Sequence, residues 1–133
     1  MNIFEMLTLK KATYYLSDKT TVRQALEKFD AHKFSVVPIL TEDVEYITSV
    51  SEGDILRFIK NEAHFDLSVL ERTMILDIER YRPYEPIRID ATFDEIYSLS
   101  LSQNFVPVVD DRDKFIGLIK RRDIFIYLKE SKK

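Results

Sequence analysis

The sequence predicts an α+β fold made of two copies of one small helix-and-strand unit, with their small sheets packed face to face. Three observations predict it. With Pro38 placed over Pro107, the blocks VVPILTEDVEYITSVSEGDILRF from Val36 and FVPVVDDRDKFIGLIKRRDIFIY from Phe105 align without a gap. Val37 then falls on Val106, Ile39 on Val108, Tyr46 on Phe115, Val50 on Ile119, Asp54 on Asp123 and Ile55 on Ile124. Each copy spans only about 50 to 60 residues, too few to bury much apolar surface alone, so pairing the copies sheet to sheet is the economical solution. Of the 133 residues, 45% are hydrophobic and 32% charged, a globular balance that argues against disorder.

The elements follow in chain order. Thr13 to Leu16 is expected as a short strand. Thr21-Val-Arg-Gln24 and Thr92-Phe-Asp-Glu95 both fit the capping box, in which a Thr hydroxyl and a Gln or Glu side chain satisfy orphan helix amides. Thr21 and Thr92 are therefore expected as caps rather than ligand contacts. Apolar residues at helical spacing follow each cap: Val22, Ala25, Leu26 and Phe29, then Phe93, Ile96 and Tyr97. From cap threonine to strand proline the second copy is two residues shorter, so its helix or the following loop is trimmed.

Val36 to Leu40 and Phe105 to Val109 read as buried strands, with a proline that suits a strand start or a sheet edge. Acidic turns at Thr41 to Glu45 and Asp110 to Lys114 lead into strands Tyr46 to Val50 and Phe115 to Ile119. Closing helices are expected over Glu52 to Asn61 and Arg121 to Lys129. The chain thus divides into a first repeat (9–62), a linker with a short helix at Asp66 to Glu71 (63–86), a second repeat (87–129) and a tail (130–133) expected to fray. The linker's Pro83 and Pro86 hold it extended. Its Phe65, Tyr81 and Tyr84 are expected to cover a seam between repeats or a dimer contact.

Composition removes many function classes. A formal charge of −3 disfavours nonspecific nucleic-acid binding. There is no cysteine, hence no thiolate nucleophile or thiolate metal site. With two glycines, Gly53 and Gly117, neither a P-loop nor a dinucleotide fingerprint can be written. No apolar run approaches the roughly 20 residues of a membrane helix, and the N-terminus lacks the pattern of a secretory signal. His32 and His64 stand alone and take no role. No metal site, catalytic residue or nucleophile is expected, and the expected location is cytoplasmic.

Cap threonine, helix, Val-Pro-Ile/Val-Leu/Val strand, acidic turn, aromatic-Ile strand and terminal Asp-Ile together resemble the cystathionine-β-synthase (CBS) domain. Two in tandem, from about Leu9 to Lys129, are similar to a Bateman module of the stand-alone bacterial type. The resemblance implies two repeats related by a pseudo-two-fold axis, a disc-like homodimer, and clefts for adenosine-containing ligands such as AMP, ADP, ATP, S-adenosylmethionine or cyclic di-AMP. It implies no required cofactor beyond such a regulatory nucleotide. In nucleotide-binding members the second strand ends in Gly-apolar-apolar-Ser/Thr-x-x-Asp, the aspartate taking ribose hydroxyls and the Ser/Thr helping to hold phosphate at a helix N-terminus. The first copy reads Thr48-Ser-Val-Ser51-Glu-Gly-Asp54, with threonine in place of the glycine. The second reads Gly117-Leu-Ile-Lys120-Arg-Arg-Asp123, with lysine in place of the hydroxyl.

Carried over by position, Asp54 and Asp123 are the ribose candidates. Ser51, Arg57, Lys120, Arg121 and Arg122 are the phosphate candidates. The base candidates surround the strand prolines: Ser35, Val36, Val37 and Pro38 in the first copy, Asn104, Phe105, Val106 and Pro107 in the second. Other readings stand beside these. Ser51-x-x-Asp54 is also a capping box with Asp in the Glu position. Phe105 either stacks on a base or belongs to the core. Lys120-Arg-Arg is either a solvated face or a phosphate contact at a helix N-terminus, where an anion offsets the unfavourable cations.

The leading expectation is therefore a regulatory sensor of an adenine nucleotide, acting through conformation or dimer packing, with an unidentified protein target as a further partner. The alternative is a ligand-free dimerisation or interaction module with degenerate pockets. Nucleotide hydrolysis is a third reading, and no acid/base pair in the sequence supports it.

Overall fold

The computed structural model describes residues 2–131. The chain forms two compact units, one built from the residues up to Tyr14, Asp43–Tyr46 and everything from Tyr84 onward, the other from Tyr15–Glu42 and Ile47–Pro83.

The second of these units holds a three-stranded sheet. Strand β2 (Leu16–Ser17) lies beside β3 (Val36–Leu40), which lies beside β4 (Tyr46–Ser51). Helix α1 (Val22–His32) connects β2 to β3, which pair in parallel with Leu16 opposite Ile39. Helix α2 (Glu52–Asn61) follows β4 directly, and α3 (Leu67–Arg72) comes from the linker. Leu16, Val22, Ala25, Phe29, Ile39, Val50, Ile55 and Ile75 form the buried core. Strand alternation and helix spacing send these side chains to one side, and their removal from water is the main favourable term.

The other unit repeats this plan and adds to it. Strand β5 (Ile87–Arg88) pairs in parallel with β6 (Phe105–Val109), Ile87 opposite Val108, across helix α4 (Phe93–Ser100). Strand β6 pairs antiparallel with β7 (Phe115–Lys120), which leads into α5 (Arg121–Ser131). An N-terminal strand, β1 (Leu7–Leu9), extends the sheet by pairing antiparallel with β7, giving the order β1-β7-β6-β5. Ile3, Met6, Ile87, Ile96, Val106, Val108, Ile119 and Ile124 fill its core.

Thr21 caps α1 with a full capping box, its hydroxyl accepting from Gln24 N at 3.1 Å and its own N–H donating to Gln24 Oε1 at 2.9 Å. Thr92 caps α4 through Glu95 N at 3.3 Å. The shorter second copy is explained by its helix, which has 8 residues in α4 against 11 in α1.

Three sequence readings need adjustment. The strand expected over Thr13 to Leu16 is shifted to Leu16–Ser17, because Thr13 ends a 3-10 turn over Lys10–Ala12 and donates its hydroxyl to the Lys10 carbonyl. Pro38 and Pro107 sit neither at a strand start nor in an edge strand. They are tolerated because the two-residue partners β2 and β5 first pair at Ile39 and Val108, one residue beyond each proline. The tail was expected to fray from residue 130, yet α5 includes Glu130 and Ser131; Lys132 and Lys133 lie outside the described residues.

The two acidic turns meet inside the first unit. Glu45 and Lys114, equivalent positions of the two copies, form an antiparallel bridge. Phe115 N donates to Val44 O at 2.8 Å, Tyr46 N to Asp113 O at 3.2 Å, and the rings of Tyr46 and Phe115 stack with centroids 6.3 Å apart. Residues that pair antiparallel with their own repeat images mark a local two-fold relation at this bridge. In the second turn Asp110 Oδ1 accepts from Arg112 N and Lys114 N at 2.8 and 3.0 Å. These bonds, that from Arg112 foremost, hold its carboxyl below the ordinary 3.8.

Candidate functional site

The first copy's motif lies where β4 turns into α2. Ser51 is the cap residue, and its hydroxyl accepts from Asp54 N at 3.1 Å. Asp54 Oδ2 returns the bond by accepting from Ser51 N at 2.9 Å, so the capping-box reading of this pair is realised in full. Asp54 Oδ1 accepts two further bonds, from the Arg57 guanidinium at 2.6 Å and from the backbone N–H of Tyr81 at 2.9 Å. Asp54 is 3% exposed, whereas the Arg57 side chain is half in solvent. One helical turn brings Arg57 back onto Asp54. The Arg57 guanidinium also lies 5.2 Å from the Tyr81 ring centroid, and that of Arg82 lies 5.5 Å from it, a cation–π contact on each count. A cavity of about 210 Å³ adjoins this cluster, lined by Arg57, Phe58, Asn61, Glu62, Glu79 and Tyr81.

The second copy's motif, at the β7–α5 junction, is arranged differently. Asp123, in the first turn of α5, is half-buried and makes no side-chain hydrogen bond or ion pair to another described residue. Lys120 and Arg122 are exposed and likewise make none. Arg121 is tied back by its Nε to the Ser100 carbonyl at 2.9 Å. Lys120 stands opposite Phe105 in the β6–β7 register, so the sheet brings a phosphate candidate and a base candidate side by side.

The base candidates are mostly buried. Val37, Pro38, Phe105, Val106 and Pro107 are buried, Val36 is partly so, and Ser35 and Asn104 are exposed. The Ser35 carbonyl accepts the Glu52 amide at 2.8 Å. Phe105 is 8% exposed and its ring packs against Tyr84, centroids 5.0 Å apart. The Asn104 N–H donates to the Tyr84 hydroxyl oxygen at 3.0 Å. Gln103 fixes the neighbouring chain, accepting from Glu85 N at 2.8 Å and donating to the Glu85 and Phe105 carbonyls.

Tyr81 and Tyr84 thus enter through a backbone amide and a phenol oxygen. Both residues were visible only as aromatics in the linker, and a backbone donor carries no signal of its own because every residue but proline has one. Among the described residues no cluster of His, Asp or Glu is placed to hold a metal ion, and no helix is long and apolar enough to cross a membrane.

Each of the two like units thus places an aspartate in the first turn of a helix that directly follows a strand. The CBS domain model matches residues 9–61 and 77–130, so the chain belongs to the CBS domain family. No catalytic family is indicated by that match. Among curated proteins none matches in sequence. Among solved structures, a CBS domain protein from Streptococcus pneumoniae TIGR4 is 21% identical, with 97% of this chain and 87% of that one covered and a TM-score of 0.86. The Listeria monocytogenes CbpB protein in complex with c-di-AMP is 18% identical over 98% of this chain and 97% of that one, with a TM-score of 0.85. CBSX2 in complex with AMP is 20% identical over 99% and 98%, with a TM-score of 0.75. At these identities the likeness speaks for the fold.

Proposed function

We propose that this chain senses an adenosine-containing small molecule of the AMP, ADP or ATP kind and converts its binding into a change of conformation or of dimer packing. The observation that carries the reading is the Asp123 corner. A half-buried carboxylate with no hydrogen-bond or ion-pair partner among the described residues stands next to two cations with none there either, at the start of a helix. A diol donates two hydroxyl protons to such a carboxylate, while Lys120 and Arg122 with the helix-end amides suit phosphate. Arg121 is held by Ser100 and would orient the backbone there. Backbone groups in the strands up to each proline, Val36 to Pro38 and Phe105 to Pro107, would read the base edge. That similar structures carry c-di-AMP and AMP supports the choice of ligand class.

Binding changes the protein only to the extent that the ligand prefers one arrangement over another. No catalytic residue is assigned. The test is a thermal-shift panel of AMP, ADP, ATP, S-adenosylmethionine and c-di-AMP. A ligand at 100 times its Kd adds about 2.7 kcal/mol of stability, an easily measured shift. No shift with any of them at millimolar concentration overturns the proposal.

A ligand-free dimerisation module is the second reading, and one observation favours it. Helices α1 and α2 border a groove of about 410 Å³ lined in part by Leu26, Phe29, Phe34, Ile55, Leu56 and Ile59. Leu56 is 60% exposed at its rim, an apolar surface suited to a second copy. Light scattering with and without nucleotide separates the readings, since a pure scaffold is indifferent to ligand.

A further inference from the structure

A linker tyrosine occupies a group that a nucleotide would need. In the unit that holds Asp54, the Tyr81 N–H and Arg57 share Oδ1 while the Ser51 N–H takes Oδ2. A carboxylate offers about four lone-pair directions, and three are already filled here. The carboxylate is 3% exposed, so little of it faces an incoming diol. The Tyr81 ring, 72% exposed, lies within cation–π distance of Arg57 and Arg82, which holds its amide over Asp54.

In the other unit, the Tyr84 hydroxyl oxygen accepts the Asn104 N–H and its ring rests on Phe105. The two rings are tilted at 58° rather than stacked. The Tyr46 hydroxyl donates to the Tyr84 carbonyl at 2.7 Å and Gln103 clamps Glu85, so this end of the linker is anchored.

We infer that Tyr81 is a built-in competitor of the ligand, a strap whose backbone amide closes Asp54. The inference rests on the nucleotide-sensing reading and gives it a mechanism of regulation: of the two motif aspartates, Asp123 is ready to accept a ribose, and Asp54 becomes available only when the strap leaves. Apparent affinity for the strapped group is reduced by the fraction of molecules in which the strap is open. The two aspartates therefore respond at well-separated ligand concentrations.

Two measurements test this. Amide hydrogen exchange on the ligand-free protein is expected to show the Tyr81 amide protected at least tenfold over an unstructured chain, with that protection lost in Asp54→Ala. An unprotected Tyr81 amide in the wild type overturns the strap whether or not any nucleotide binds. Titration with AMP, ATP and c-di-AMP is expected to give one tight event per chain, abolished by Asp123→Ala. In Tyr81→Pro, which deletes the N–H, a second event tightens at least tenfold. Tyr81→Gly, which loosens the strap without removing the amide, shifts the second event the same way and serves if the proline variant does not fold. Two equal events in the wild type, or a tight event lost in Asp54→Ala and kept in Asp123→Ala, overturn the inference. Absence of binding to every variant removes the sensing reading, and the exchange result alone then decides whether the strap is closed.

Discussion

Gly117 and Thr8 lie so close across the β1–β7 pair that a β-carbon on Gly117 would overlap the Thr8 carbonyl oxygen. Leu7 Cδ1 and the Thr8 carbonyl carbon would stand only 3.0 Å from it, and Gly117 has φ +156. The glycine of the second motif is thus explained by strand packing: it admits the N-terminal strand. Thr48, its counterpart in the first copy, is buried on β4, where no strand like β1 has been added.

Gly117→Ala is accordingly expected to destabilise the protein by about 1–3 kcal/mol, the usual cost of overpacking a filled site. Urea unfolding monitored by circular dichroism measures it. An unchanged midpoint would mean that β1 does not press on β7 in solution.

Replacing the motif aspartates should have unequal structural consequences. Asp54→Ala strands the Ser51 and Tyr81 amides and frees Arg57, with an expected loss of about 1–3 kcal/mol. Asp123→Ala removes a side chain with no hydrogen-bond or ion-pair partner among the described residues and is expected to stay within about 0.5 kcal/mol of wild type. Chemical denaturation of both variants without ligand checks the contrast; equal losses would contradict the geometry.

Thr21→Ala deletes the hydroxyl that accepts from Gln24 N and should cost about 1 kcal/mol of stability. Thr21→Ser keeps the oxygen and is expected to recover most of it. A serine variant as weak as alanine would show that the cap's contribution lies elsewhere.

Asp110 supplies an acid-sensitive element in its turn. Its folded carboxyl is held below 3.8, chiefly by the Arg112 amide, so its contribution is present above that value and is lost as pH falls through the lower folded one. NMR titration should find Asp110 among the last carboxylates to protonate, and Asp110→Asn should flatten the pH dependence of stability below about pH 4. An ordinary titration midpoint would contradict this.

The duplication, the Thr21 and Ser51 capping boxes, both strand pairs and the limits of α2 at Glu52 and Asn61 were legible in the residue order, while at Thr92 only the hydroxyl half of the expected box forms. They follow from local periodicity and short-range hydrogen bonding, which act within a few residues of the chain. Strand β1 was not legible: Leu7 to Leu9 is too short to show alternation, and only its pairing with Gly117 makes it a strand. The candidates Ser51, Asp54, Lys120 and Asp123 were named by their positions in the motif that the resemblance supplies.

What the sequence by itself determined is that two like halves exist and that each carries an aspartate at the head of a helix. Only the tertiary structure decided that these carboxylates differ, one enclosed by Ser51, Arg57 and the Tyr81 amide and the other without hydrogen-bond or ion-pair partners among the described residues. The reason is physical: the deciding donor is a backbone N–H brought from 27 residues away, and every non-proline residue carries one. Its position depends on the path of the linker, which no side-chain pattern encodes.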